Sequence, residues 1–410
     1  MDHDKLLNLG AELGRRLMTS GAEIYRVEES VDRLLSAYGA TAQVFAIPTC
    51  LIVSVNTPEG HPITRMCRIP AHGTDIELLE RCNALCRRLC REPLTLEEAQ
   101  ALVDRLEPER RQFSPRVLLF GYAAAAAFFA LFFGGDVRDW LAAGLCGTAV
   151  GACLLFGQRF TGSNVFFRTL ICSAVAAGMA AFLVWAGLGH SQECITIGTL
   201  MVLVPGMALT NAMREIMAGD IISGLTRTAE VLLVATAIAL GTAIPLLFDG
   251  ALSGGSAGTC LYLADYVLSC LWAFCACVGF GLVFNIQGRG ILICGCGAAL
   301  GWLVYLLSIR FLAGDILSAF LAAAVIGFYS EIMARVRRCP VTGYLQVALL
   351  PLVPGAGIYH AMQYCVAGET QLFLSTLLHT LGFAAALSVG AMLITSLLRA
   401  LLPRLHLGGR

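Results

Sequence analysis

Lysine is nearly missing from this chain. Lys5 is the only one in 410 residues, and every other basic side chain is arginine. Charge of either sign is scarce, at 14% of residues, where a soluble globular chain carries about 25%. The scarcity is local: residues 1–113 carry 31 of the 56 charged side chains, leaving 25 for the 297 residues that follow. The formal net charge is +0, so the chain has no basic footprint for a nucleic-acid partner. The opening MDHDKLLNLG lacks a basic n-region followed by an apolar core, so no secretory signal is expected there. The 17 cysteines are scattered, many inside apolar runs. That usage suits reduced thiols better than a disulfide framework. Cys82, Cys86 and Cys90 share a helical face at steps of four. Metal binding needs a tighter, convergent set, so packing is expected of them, with no metal and no cofactor.

What the chain has in abundance is apolar surface. Hydrophobic residues make up 57%, with a mean hydropathy of +0.75. With the charge shift near residue 113, this predicts a polar domain followed by a membrane domain.

In the polar part, Leu6, Leu9, Leu13 and Leu17 recur at helical spacing. Ser20 and Glu23 read as a capping box that restarts a helix after Gly21, with Ile24, Val27, Val31 and Leu34 as its apolar face and Gly39 as its end. QVFAI, CLIVSVN and ITRMCRI read as three short strands, the last two joined by Pro58-Glu59-Gly60. Thr74 with Glu77, and Thr95 with Glu98, open two more helices by the same capping logic. The result is a small α+β domain over 1–113. Glu23, Arg26, Glu28 and His61 are its chemically capable residues, without the spacing of a nucleophile and its base.

From Val117 the apolar runs reach the roughly 20 residues a helix needs to cross a bilayer. Ten spans are predicted, at about 117–134, 140–157, 165–188, 194–217, 222–247, 259–285, 289–309, 313–335, 341–366 and 371–398. With the first domain cytoplasmic, twelve arginines from Arg116 to Arg410 fall at cytoplasmic ends and only Arg138 and Arg310 outside. The positive-inside rule therefore places both termini in the cytoplasm.

The fourth and ninth spans carry the same phrase. VPGMALTNAMREIMAGD (204–220) and VPGAGIYHAMQYCVAGE (353–369) lie 149 residues apart. CGTAVG and CGAALG repeat at nearly the same offset, as do Gly241 and Gly390. The duplication covers five spans per copy, residues 114–250 and 251–410. Five is odd, so the second copy must lie upside down relative to the first, the architecture of many secondary transporters. The predicted fold is a polytopic α-helical membrane protein, ten transmembrane helices as two inverted five-helix repeats, preceded by a small α+β cytoplasmic domain.

Pro removes a backbone donor and Gly lowers helix stability, so Pro205-Gly206 and Pro354-Gly355 are expected to interrupt their helices. The freed backbone groups cannot face lipid and must line protein or a wet cavity. The polar residues after each break are then path candidates: Asn211, Arg214 and Glu215 in one repeat, Tyr359, His360, Gln363 and Tyr364 in the other. The repeat aligns Asn211 with His360, Arg214 with Gln363, Glu215 with Tyr364 and Asp220 with Glu369. Intramembrane ionisable groups are costly and usually functional. That makes Asp220, Glu230, Asp265, His360 and Glu369 the candidates to carry a proton, with Arg227 and Glu230 able to pair at i,i+3. Glu331 and His379 are further ionisable groups in the apolar part.

SGAEIYRVEESVDRLLSAYG, VFAIPTCLIVSV and VPGMALTNAMREIMAGDIISGLTRTAE resemble the threonine/serine exporter family, and RRCPVTGYLQVALLPLVPGAGIYHAM resembles that family's second membrane module. Some members keep the two modules on separate chains, one such pair being associated with succinate export; here they are fused. The resemblance implies a ten-span exporter of the cell membrane (inner or plasma), driven by the proton-motive force, with a cytoplasmic N-terminal domain sometimes regarded as hydrolase-like. It carries over onto Ser20, Gly21, Ala22, Arg26, Val27 and Glu28, and onto Pro205, Gly206, Asp220, Gly224, Arg227, Pro354 and Gly355.

The leading expectation is a proton-coupled exporter of small hydrophilic metabolites, threonine and serine first, and not an enzyme. Arg214 or a broken-helix N-terminus would hold a carboxylate, and Asn211 with freed carbonyls the ammonium and hydroxyl. Its partners would be a small-molecule substrate, protons and the lipid bilayer, with homo-oligomer formation open. Alternatives are a dicarboxylate (succinate-type) exporter of the same fold, a membrane-anchored enzyme or sensor using the N-terminal domain, and a passive channel.

Overall fold

The computed structural model describes residues 2–57, 61–69, 73–157, 164–249, 263–312, 314–337 and 339–401, with side chains described except at 244–249, 263–265, 312 and 399–401. Helices α1 (His3–Thr19) and α2 (Ile24–Ala37) lead into an antiparallel sheet of β1 (Ala42–Ile47), β2 (Cys50–Asn56) and β3 (Pro62–Arg68), in that order. Val44 pairs with Val53, and Val53 with Arg65. The alternation in β2 turns Leu51, Val53 and Val55 into the core, against the leucine face of α1, where Leu6, Leu9, Leu13 and Leu17 are buried. Helices α3 (Ile76–Arg91) and α4 (Leu96–Arg105) complete the unit, and Cys82 and Cys86 pack inside it.

Two of the three expected capping arrangements differ. Thr95 and Glu98 do form a capping box. Ser20, however, closes α1 and donates its hydroxyl to Leu17 O at 2.9 Å. Glu23 holds the N-cap position of α2 without capping, because its carboxylate is engaged by two arginines instead. Helix α3 is capped by Asp75, which accepts from Leu78 N at 3.1 Å, not by Thr74. Gly39, at φ 78°, ends α2 in the left-handed region, as expected. The turn at Pro58-Glu59-Gly60 lies outside the described residues.

The apolar part follows one order twice. The first series is α5 (Pro115–Phe132), α6 (Val137–Phe156), α7 (Val165–Trp185), the short α8 (Gln192–Leu200) and α9 (Gly206–Ala218), then α10 (Ile221–Asp249). The second is α11 (Leu263–Val283), α12 (Gly290–Leu312), α13 (Asp315–Arg337), the short α14 (Val341–Leu349) and α15 (Gly355–Val366), then α16 (Thr370–Leu401). Eight helices among the described residues are long and apolar enough to cross a membrane: α5, α6, α7, α10, α11, α12, α13 and α16. The predicted fourth and ninth spans are instead each a pair of short helices around a break. Packing repeats as well: α7 lies on α10 and α13 on α16, α5 on α6 and α11 on α12, while α5 and α11 pair across the middle.

The N-terminal unit sits against one end of this bundle. Ile76 N donates to Phe284 O at 3.1 Å, and Asn285 Nδ2 to Asp75 Oδ1 at 3.0 Å. The apolar core is continuous across the junction, running from Leu6 and Val53 to Phe280, Ile286, Tyr344 and Val347.

Candidate functional site

The interruption in the fourth and ninth positions is built the same way. After α8, Leu203 N and Val204 N both donate to Leu200 O at 2.8 Å, and Pro205 then starts α9 with φ −81° and ψ 40°. After α14, Leu352 N and Val353 N donate to Leu349 O at 2.9 and 3.1 Å, and Pro354 starts α15 with φ −76° and ψ 52°. Neither new helix has a side-chain cap. Each therefore presents uncapped amides and the positive end of its dipole at the break.

The breaks lie against each other. A Cβ built on Gly206 would collide with Val353 Cγ1 and come within 3.6 Å of Gly355 N. One built on Gly355 would lie 3.1 Å from Met201 Sδ and 3.2 Å from Val204 Cγ1. At Gly206 the other break leaves no room for a side chain unless Val353 shifts, while Gly355 is tightly packed. Beside them is a cavity of about 10 Å³, room for about one water. Met207, Thr210, Asn211 and Arg214 line it from α9, with Gln346, Leu349 and Val353 from the other break. Gln346 is 5% exposed, and its Oε1 has no hydrogen-bond partner among the described residues.

Arg214 and Glu215, adjacent on α9, are both buried. Arg214 Nη1 donates to Glu23 Oε1 at 2.5 Å, a bond spanning 191 residues that ties the bundle to the N-terminal unit. Glu23 Oε2 also meets Arg26 Nε at 2.7 Å. Burial alone would raise the Glu23 carboxyl, but the Arg26 and Arg214 guanidiniums overcome it and hold it at about 2, against an ordinary 4.5. Glu215 accepts from Ser223 Oγ at 2.7 Å and pairs with Arg227 Nε at 3.0 Å. The partner of Arg227 is therefore Glu215 rather than Glu230, which is exposed on α10. Glu331 pairs with Arg335 at 3.1 Å on α13.

The remaining expected residues are dispersed. Tyr359 is buried in an apolar cluster with Val150, Cys172, Ile197 and Ile238, from the first series of helices. Gln363 Nε2 donates to Tyr359 Oη at 2.5 Å, and His360 Nδ1 lies 3.3 Å from Gln363 Oε1, so these three form one chain on α15. Tyr364 is half-buried and Glu369 exposed. Asp220 is half-buried, with an Oδ2 that finds no hydrogen-bond partner among the described residues. The Glu28 carboxyl is raised by burial and by the charge of Asp220, while the Ala46 amide, donating at 2.8 Å, opposes the shift. His61 lies exposed in the N-terminal unit. The side chain of Asp265 lies outside the described residues. His379 Nε2 meets Asp315 Oδ2 at 3.1 Å, and Tyr305 also donates to Asp315.

Sequence reasoning missed Gln346, Thr210 and the reach of Glu23 into the bundle. Gln346 had a readable signal, a lone amide inside the apolar run before Pro354. Glu23 had only a misleading one, since S-x-x-E is the signature of a cap.

Comparison with known proteins bears on what this site serves. Residues 8–248 match the family described as "Putative threonine/serine exporter", and residues 269–397 the family described as "Threonine/Serine exporter, ThrE". The chain is 23% identical over 407 residues to the "Probable threonine/serine exporter" of Mycobacterium tuberculosis, covering 95% of this chain and 75% of that protein. It is 22% identical over 408 residues to the "Threonine/serine exporter" of Corynebacterium glutamicum, covering 96% and 83%. It is 24% identical over 223 residues to "Pheromone-regulated membrane protein 10" of Saccharomyces cerevisiae, covering 52% of this chain and 28% of that one. No solved structure matches the chain. With both family matches in place along a chain of membrane-length helices, this protein belongs to the threonine/serine exporter family, a family of transporters and not of enzymes.

Proposed function

We propose that the protein is a secondary active exporter of threonine and serine in the cell membrane, driven by the proton-motive force, with ten spans arranged as two inverted five-helix repeats, 114–250 and 251–410. Each of the pairs α8/α9 and α14/α15 makes one interrupted span. The shared helix order and matching packing pairs support the duplication, and an odd number of spans per copy inverts the second. Threonine and serine come from the names of the relatives.

The observation that carries this reading is the contact between Gly206 and the Val353–Gly355 turn. Two uncapped helix starts meet there, beside a small, largely apolar cavity whose polar lining is Thr210, Asn211, Arg214 and Gln346. Helix starts favour a carboxylate, and buried polar groups beside them suit the rest of a small hydrophilic solute. Pro205, Gly206, Asn211, Arg214, Glu215, Pro354, Gly355, Tyr359, His360 and Gln363 form the path in this reading. Tyr359, His360 and Gln363 serve its far side. The coupling proton rides on Asp220, Glu230, Asp265, His360 or Glu369. The N-terminal unit, with both termini, faces the cytoplasm.

The test is labelled-threonine transport in proteoliposomes, with net uptake measured in empty vesicles and exchange in vesicles loaded with unlabelled threonine, and labelled succinate as the control. A pH gradient should drive threonine uphill, and an uncoupler should abolish that accumulation while leaving exchange intact. Accumulation that ignores the uncoupler removes proton coupling. Exchange of succinate but not threonine removes the substrate assignment.

A further inference from the structure

The Glu23–Arg214 pair is an odd feature for a transporter. Arg214 lines the cavity between the breaks, yet its charge is already answered by a carboxylate from outside the bundle. Both side chains are more than nine-tenths buried. Beside them are the buried Thr210 hydroxyl and the buried Gln346 Oε1, which has no hydrogen-bond partner among the described residues. Arg214 Nε likewise has no hydrogen-bond partner among the described residues.

Resting on the exporter reading above, we propose that this ion pair is the receptor for the charged end of a zwitterionic substrate. The substrate's carboxylate replaces Glu23 on Arg214, and its ammonium replaces Arg214 on Glu23. No bond is made or broken; one ion pair becomes two. Glu23, from the N-terminal unit, is then a substrate-binding and specificity residue, and the site is incomplete without that unit.

The charge arithmetic favours a zwitterion. Removing one member of a buried pair is strongly unfavourable, because it leaves the other without compensation. A zwitterion satisfies both ends at once. A monocarboxylate would take Arg214 and leave Glu23 to Arg26 alone. A dicarboxylate would need a second cation, and the neighbouring arginines are engaged, Arg227 by Glu215, Arg335 by Glu331 and Arg26 by Glu23. Its second carboxylate would also approach Glu23 and Glu215 directly. The cavity holds about one water as it stands, so entry requires α2 and α9 to separate at this pair. The Thr210 hydroxyl and Gln346 carbonyl are placed to meet the hydroxyl of threonine or serine.

The experiment is competition against labelled threonine exchange in proteoliposomes holding the full-length protein. The competitors are threonine, 3-hydroxybutyrate, which lacks the ammonium, and 1-amino-2-propanol, which lacks the carboxylate. In the wild type each fragment should compete about 100-fold more weakly than threonine, since the acid leaves Glu23 with Arg26 alone and the amine leaves Arg214 without a carboxylate. In Glu23→Gln the preference for threonine over 3-hydroxybutyrate should fall at least about tenfold while discrimination against the amine persists, and Glu23→Asp should keep both preferences. The proposal is overturned if 3-hydroxybutyrate competes with the wild type as well as threonine does. It is equally overturned if Glu23→Gln changes all rates alike and leaves the ratio untouched, the mark of a purely structural latch. If Glu23→Gln is inactive with every solute, the wild-type competition still decides. Absence of threonine and serine exchange in the wild type overturns the exporter reading and this inference with it, whereas intact exchange without fragment discrimination overturns only this inference.

Discussion

Glu23 illustrates how one side chain can be diverted from its local role. Its spacing from Ser20 invites a cap worth about 1 kcal/mol, but two guanidiniums compete for the same oxygens at 2.5 and 2.7 Å. Ser20 and Glu23 are both buried, and there ion pairing with two charged partners prevails over one neutral capping bond. Glu23→Ala should therefore destabilise the detergent-solubilised protein by about 3–5 kcal/mol, because Arg214 is left buried and charged, while replacing both Glu23 and Arg214 by methionine should cost far less. Heat unfolding of the three proteins checks this. The pH dependence has a definite sign. The folded carboxyl sits at about 2, below its ordinary 4.5, so the pair's contribution is complete above pH 4.5 and is lost as pH falls through about 2. The gap between wild type and Glu23→Gln should be constant from pH 5 to 7 and close toward pH 2.

At the scale of the element, the interrupted helices were half legible. Pro205 and Pro354 announce a break through their missing donors, and the structure has one at each. Hydropathy alone still reads 194–217 and 341–366 as continuous spans, because composition averages over a turn of only a few residues. The contact between the breaks is a matter of close packing, and it makes a definite prediction. Gly206→Ala should cost about 1–3 kcal/mol by overpacking against Val353, and Val353→Ala should recover most of that loss in the double variant. Transport rate and thermal midpoint should move together. Additive losses would mean that the two residues are not in contact in the working protein.

For the whole molecule, the decisive feature is the continuous apolar core that joins the N-terminal unit to the bundle through Ile76, Phe280, Tyr344 and Val347. A chain without residues 1–113 would expose that face along with Arg214 and Asp220. It should be poorly stable and inactive when expressed alone, and regain exchange when residues 1–113 are supplied as a separate chain. Full exchange by the truncated chain would make the unit an accessory. Sidedness is checked with small epitope tags in intact cells. A tag near Gly187 should be reached by antibody from outside and one near Gly288 only after permeabilisation.

Residue types and their spacing were enough to determine that this is a membrane protein with a polar N-terminal unit, to order its three strands and to locate both breaks. Those properties follow from hydropathy, from the period of two in β2 and from the chemistry of proline, all of which act within a few residues. The family likeness was legible too, in the same short stretches. The pairing of Arg214 with Glu23, of Arg227 with Glu215 rather than Glu230, and the approach of Gln346 to Asn211 were decided only by tertiary structure. Each joins residues whose separation along the chain says nothing about distance. The choice among competing charges in a buried cluster depends on geometry that no linear pattern encodes.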